Sequence, residues 1–436
     1  MTHRSIAALL LAACTGGLLS CAPATNGAPW SNVREVTPAF LLSTPAGSRA
    51  ADASLALDDR GRIALTWVTR DTVGADLWLT VSADSGAHWS AALRVNTRPG
   101  KVSSYPESRP VATWDRSGML VVAWASARDS GQYADDIAVR VSADGGRVFG
   151  EVTLVNSDHA DSLSTYHGFV ALTMLPDGRP YVAWIDGRAQ AGLGDEPTRA
   201  EIRASTSRDG GASWTADTLI ARDVCPCCHI ALASSMRETG AIDIALAYRG
   251  AADDLRDPRL AVSHDGGDTF ALDTLVSADR WKLLGCPSVG PALTMDMGGG
   301  HYAWFTGESP DDDSLNAVSA RPAPGVYLVP WRIDAGATGP KRALADSLGD
   351  PSRPMLARLE SGTLVGAIGA AASGPARKVL AVRRLELDGV LSPWLYLGSG
   401  VKSGAIAAQG DRAAWAAWTE GDKHGTRVRV VRLTGR

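Results

Sequence analysis

No block of like charge runs through this chain. Its 43 Lys and Arg are interspersed with 47 Asp and Glu, for a net charge of −4. A nucleic-acid partner, which needs basic residues gathered on one face, is therefore not expected. Beyond the first twenty residues no segment reaches the ~18 continuous apolar residues of a membrane-spanning helix, and no long amphipathic helix is visible. What remains is a globular composition, 45% hydrophobic and 21% charged, with 46 glycines and 23 prolines over 436 residues. That length suits two ordinary domains or one large repeat domain.

The first twenty residues differ in kind. His3 and Arg4 precede an apolar run from Ile6 to Leu19, too short for a bilayer and suited to a secretory signal. The run ends in Leu18-Leu19-Ser20-Cys21, which resembles the bacterial lipobox, and the resemblance implies a diacylated Cys21 as the new N-terminus. An ordinary signal peptide containing a cysteine is the plainer alternative. Ala22 in the next position resembles lipoproteins sorted to an outer membrane. The expected organisation is a signal peptide over 1–20, a flexible tether over 21–31 and one folded body over 32–436. The expected partner is a membrane, reached through the lipid, and the expected location is the bacterial cell envelope.

One phrase recurs in the body: a turn with Asp or Gly, then a small-apolar strand ending in an aromatic residue. Copies end at Trp67, Trp124, Trp184, Tyr248, Trp304 and Trp418, and a degenerate copy ends at Ile368, at spacings of 50 to 64 residues. That period is too long for a solenoid turn and right for a four-stranded propeller blade. The last copy, ending in RVRVVRL, has three strands only, while VREVTPAFLL after the tether is a strand without a blade. Pairing the two closes the ring and removes a free sheet edge. The fold expected is thus an all-β, single propeller of seven blades, with the N-terminal strand completing the last one.

Four copies carry a second phrase, Ser82-x-Asp84-x-Gly86-x-x-Trp89 and its counterparts ending at Phe149, Trp214 and Phe270. The pattern resembles the Asp-box, or BNR repeat, of sialidases. The carboxylate can accept hydrogen bonds from its own turn, glycine supplies a backbone conformation others resist, and the ring fills the space between sheets. The resemblance implies that Asp84, Asp144, Asp209 and Asp265 are structural, on the hairpin between third and fourth strands. It also implies six blades as the alternative to seven.

Function is expected on the opposite rim, where strand two meets strand three and one blade links to the next. Strand-two exits place Arg70, Arg128, Arg188 and Arg249 alike in four successive blades, and acidic loops follow at Asp195-Glu196, Asp253-Asp254 and Asp311-Asp312-Asp313. The bland reading is a solvated charged rim. The sharper one is a row of guanidiniums holding a glycan or another anion. The sialidase resemblance implies an arginine clamp, an Asp acid/base and a Tyr nucleophile activated by Glu. Arg49 or Arg109 matches the first arginine, and Arg70 with Asp71, or Arg128 with Asp129, matches the second arginine and the acid. The family's Arg-Ile-Pro is absent at Arg49, and no motif assigns the Tyr–Glu pair; Tyr166 is the one rim candidate. A glycosidase needs two groups flanking the scissile bond. A non-catalytic, monomeric binding propeller is therefore the first expectation, and an exo-sialidase acting on terminal acidic sugars the second.

Cys225, Cys227 and Cys228 precede His229 in the link between blades three and four, and Cys286 sits in the next link. Blade register brings these four sulfurs and one imidazole to a single rim. Three chemistries compete. Two disulfides suit an oxidising compartment; thiolates with a histidine suit copper(I) or zinc. Cys225-x-x-Cys228-His229 also satisfies the c-type haem motif, against which stand the intervening cysteine and the lack of a small helical cytochrome domain.

Overall fold

The computed structural model describes residues 30, 32–42, 49–129, 134–159, 165–190, 200–309, 322–344, 347–371, 377–422 and 425–435. Seven antiparallel sheets form a ring, each with four strand positions running from the centre outward; in two sheets one position is split into two short strands. The seven-bladed reading is correct and the six-bladed alternative is not.

The recurring phrase is the second strand of each blade: Ile63–Arg70, Leu120–Ala127, Pro180–Asp186, Ile242–Arg249, Gly299–Thr306, Gly362–Ala371 and Ala413–Asp422. Neighbouring blades cover both faces of this strand. It therefore reads as a continuous apolar run rather than an alternating one. Trp67, Trp124, Trp184, Tyr248, Trp304 and Trp418 are all buried there. No described helix is long and apolar enough to cross a membrane.

Closure joins the termini. Asn32–Glu35 is the outermost strand of the last blade, with Asn32 opposite Thr434 and Glu35 opposite Val431. Val36 continues the pairing by donating to the Val430 carbonyl at 3.0 Å, and the Arg429 guanidinium meets the Glu35 carboxylate. Trp30, just before this strand, is buried against the core of blades six and seven. The proposed lipidation site Cys21 and the signal segment lie outside the described residues.

Each Asp-box turn is a closed hydrogen-bond unit. Ser207 Oγ accepts the Gly211 N–H at 2.7 Å and donates to Asp209 Oδ1 at 2.8 Å, while Asp209 Oδ1 accepts the Ser213 N–H at 2.8 Å. The same bonds recur around Asp84, Asp144 and Asp265. All four turns join third and fourth strands, on the rim away from the blade-to-blade links. Gly267 illustrates why glycine is required. Its φ is +94°, and a Cβ would lie 2.3 Å from Tyr181 Cε2 of the preceding blade.

Candidate binding face

The opposite rim departs from regularity at the innermost strands. Pairing slips occur between Ala51 and Ser54, between Gly168 and Ala171, between Gly349 and Met355, and between Val401 and Ser403. Asp52, Phe169 and Arg353 sit at three of these slips with φ of +53°. Left-handed backbone at a bulky residue costs roughly 1–3 kcal/mol, and bulges of this kind re-aim side chains next to sites.

Blade two departs furthest. Its inner strand is split into Val102–Ser103 and Val111–Trp114. Ser103 pairs with Ala125 and Val111 with Ala123, so residues 104–110 loop out opposite Trp124 alone. This excursion reaches over the mouth of the ring. Arg109, half-buried, donates to the carbonyls of Ala53 in blade one and Gly404 in blade seven. Ser108 Oγ accepts the Phe169 N–H of blade three at 2.9 Å. Glu107 meets His229 Nδ1 of the blade three–four link at 3.2 Å and Arg353 Nε of blade six at 2.6 Å. Burial alone pushes the Glu107 carboxyl up. The His229 hydrogen bond and the charges of His229, Arg353 and Arg109 outweigh it and hold the group below the usual range. One loop thus cross-braces five blades and the link that bears the cysteines.

The excursion separates two clefts. Over blades one to three, a cleft is lined by Arg49, Arg70, Tyr105, Arg128, Asp135 and Tyr166. The hydroxyls of Tyr105 and Tyr166 are 3.2 Å apart. Burial pushes the Tyr105 phenol up to about 12 and Tyr166 well above its ordinary value. Both phenols therefore stay protonated at neutral pH and act as hydrogen-bonding groups. Over blades five to seven, a second cleft is lined by Phe305, Arg353, Arg377, Lys378 and Lys402 with no carboxylate among its lining residues.

The arginine row is already engaged, three of its members by carboxylates. Arg70 donates to the Asp52 carboxylate and the Ser104 carbonyl. Arg128 holds Asp136 at 2.7 Å. Arg188 bridges Asp186, Asp158 and Asp217 at 2.8–3.2 Å. Arg249 is buried, donates to the carbonyls of Val289, Arg256 and Phe305, and lies 5.0 Å from the Trp281 ring centroid. The row braces links between blades; its guanidiniums do not converge on open space, and with Arg249 buried and the Arg128 side chain nearly so it is not a solvated rim either. Asp129 is exposed and held by Arg98 and by Lys101, at 2.5 and 2.9 Å. Asp71 caps its own turn through the N–H groups of Val73 and Gly74. Arg49, at the edge of the first cleft, has no side-chain partner among the described residues. Asp254 lies 3.6 Å from Arg256; the other two acidic loops fall outside the described residues.

The cysteine links meet as blade register predicts. Cys227 and Cys286 form a disulfide across 59 residues. Cys225 and Cys228 are free and buried, and the sulfurs of Cys225, Cys227 and Cys228 lie within 4.8 Å of one another. A hydrogen bond from Cys228 lowers the Cys225 thiol; burial opposes this, and the charges of Arg249 and Arg256 assist it. The links are packed so closely that a Cβ on Gly290 would lie 2.0 Å from the His229 carbonyl oxygen. His229 Nδ1 faces Glu107 and the Gly290 N–H rather than the sulfurs.

Sequence reasoning missed Glu107, Arg353, Arg377, Lys378 and Lys402. Only the prolines at 106 and 110, which interrupt a strand phrase, signalled the excursion.

No family model and no curated protein matches the sequence. Solved structures do. A protein of unknown function from Dyadobacter fermentans superposes with a TM-score of 0.52 at 13% identity, covering 93% of this chain and 99% of its own. The polysaccharide lyase Uly1 gives 0.50 at 11% identity, covering 88% and 90%. The NanB sialidase from Streptococcus pneumoniae gives 0.47 at 10% identity, covering 92% and 97%. The likeness shows the fold alone.

Proposed function

We propose that this chain is an envelope propeller, lipid-anchored through Cys21, that binds an acidic glycan at the mouth of its ring without transforming it. The observation that carries the reading is the second cleft, where Arg353, Arg377, Lys378 and Lys402 from two blades face one space with no acid among them. Of these, Arg353 is tied to Glu107, and Lys378 lies 3.6 Å from Asp350. Arg377 and Lys402 have no side-chain partner among the described residues, so their charges are available. Phe305, half-buried in the same lining, offers an aromatic surface beside them. A planar guanidinium next to an ammonium suits a carboxylate or sulfate, and the aromatic face suits a sugar ring.

The test is calorimetric titration with oligosaccharides bearing uronate, sialate or sulfate, against neutral oligosaccharides of equal length. The acidic ligands bind and the neutral ones do not. Arg377→Ala with Lys402→Ala removes binding while the melting temperature stays unchanged. Equal binding of the neutral set rejects the reading.

The alternative is a sialidase-type glycoside hydrolase, for which Arg49 and the Tyr105–Tyr166 pair in the first cleft are the relevant groups. A fluorogenic sialoside distinguishes the two. Turnover abolished by Arg49→Ala favours the hydrolase; no turnover favours binding. Metabolic labelling with a fatty acid, lost in Cys21→Ala, tests the anchor.

A further inference from the structure

The sulfur cluster is not used by the anion-binding reading and does not depend on it. From its geometry we infer that Cys225 and Cys228 form a dithiolate site for a soft monovalent d10 metal ion, copper(I), with Cys227 joining as a third ligand when its disulfide to Cys286 is reduced.

Four observations converge. First, the three sulfurs lie within 4.8 Å of one another, with Cys225 and Cys227 at 3.7 Å, close enough for one ion to touch all three. Second, the group contains sulfur only. The neighbouring imidazole is turned away: His229 Nδ1 meets Glu107 and the Gly290 N–H. Soft thiolates without imidazole or carboxylate favour copper(I), which is content with two or three ligands. Structural zinc needs four, and the fourth sulfur, Cys286, is not among those that lie within 4.8 Å of one another; it meets the Ser288 hydroxyl at 3.3 Å. Third, the backbone is set before any metal arrives. The Cys225 N–H donates to the Arg249 carbonyl at 2.9 Å, and the disulfide pins the turn to the next link. Fourth, positive charge is in place. Arg249 and Arg256, both buried, stand beside the turn: the Arg249 carbonyl accepts the Cys225 N–H, and the Arg249 guanidinium donates to the Arg256 carbonyl. Arg249 donates to backbone carbonyls, and Arg256, whose Nε has no hydrogen-bond partner among the described residues, has Asp254 at 3.6 Å. A copper(I) bis-thiolate carries one negative charge, which these groups offset.

The balance is simple. Two thiols and one copper(I) ion give the bis-thiolate complex and two protons. A dithiol reductant converts the Cys227–Cys286 disulfide to two thiols and is itself oxidised to a disulfide. Cys227 then loses a third proton as it joins. Cys286 is exposed, so the reductant reaches the bond from solvent.

The experiment titrates purified protein anaerobically with copper(I) against a chromogenic copper(I) chelator. Wild type with its disulfide intact withdraws one copper(I) per chain. Cys225→Ser and Cys228→Ser, shown to be folded by circular dichroism, withdraw none. Cys286→Ser, which frees Cys227, tightens binding about ten-fold or more, the scale on which a site-shaping group acts on metal affinity. Three results overturn the proposal: copper uptake unchanged in both serine variants, zinc bound in preference to copper(I), or a denatured protein without free thiols because Cys225 and Cys228 are themselves joined. Oligosaccharide binding is unaffected by either serine variant, so failure here is distinct from failure of the anion-binding reading.

Discussion

Replacing Cys286 by Ser opens the covalent tie between two blade-to-blade links, and its cost can be worked from the chain. The bond closes a loop across 59 residues. Loop-closure entropy for a loop of that size is roughly 14 cal/mol/K, or about 4 kcal/mol at 25 °C. Cys286 is exposed, so the serine adds no packing loss and the entropy of the opened chain dominates. Residual structure in the unfolded chain already restricts some of this entropy, which makes about 4 kcal/mol an upper figure and about 2 kcal/mol the lower one. Urea unfolding followed by tryptophan fluorescence measures the difference. Wild type pretreated with a dithiol should superimpose on Cys286→Ser. A variant within about 0.5 kcal/mol of untreated wild type, the usual scatter of surface substitutions, would refute the reasoning and with it the side-by-side placement of the two links.

Other expectations follow from the same geometry. Gly178 and Gly267 have similar left-handed φ, +87° and +94°, but a Cβ meets nothing within 4 Å at the first and Tyr181 at 2.3 Å at the second. Gly178→Ala should cost about 1 kcal/mol and Gly267→Ala about 2–4 kcal/mol in urea unfolding; equal costs would show that the blades are not in contact there. His167 Nε2 lies 3.1 Å from Asp158 and 3.3 Å from Asp186, off the line of a good hydrogen bond to either. Burial opposes its charge, yet the two carboxylates raise its pKa to about 9. Its contribution, up to about 3 kcal/mol, is complete below pH 6.5 and is lost as pH rises through about 9. The stability gap between wild type and His167→Gln should close over that window; Asp186, lowered to about 2, adds stability above its ordinary value that fades only as pH falls towards 2. Arg249→Met strands the carbonyls of Val289, Arg256 and Phe305, and thermal or urea unfolding should show a loss of about 3 kcal/mol.

The scaffold was legible because its causes are local. A strand covered on both faces must be apolar along its whole length, so seven such runs announced seven blades. The Asp84-type turns were readable because Ser, Asp and Gly complete their bonds within a few residues. Cys227 and Cys286 could be paired on one rim because blade register alone carries them there. The mouth was not legible for the opposite reason. Arg70, Arg128 and Arg188 resemble a clamp along the chain, but Asp52, Asp136, Asp158 and Asp217, which neutralise them, lie 8 to 30 residues away with no shared pattern. Glu107 meets His229 and Arg353 across the ring, a relation that no repeat encodes. Arg377 and Lys402 come from different blades and belong to no motif, so their common cleft exists only in the folded ring.

The most direct test of the account is a hydrogen-exchange footprint of a bound acidic oligosaccharide. Slowed exchange is predicted in residues 104–110, at 350–353, and at 377–378 with 400–402, and unchanged exchange in the turns around Asp84, Asp144, Asp209 and Asp265. Slowing confined to those turns, or no slowing at the mouth under saturating ligand, would contradict it.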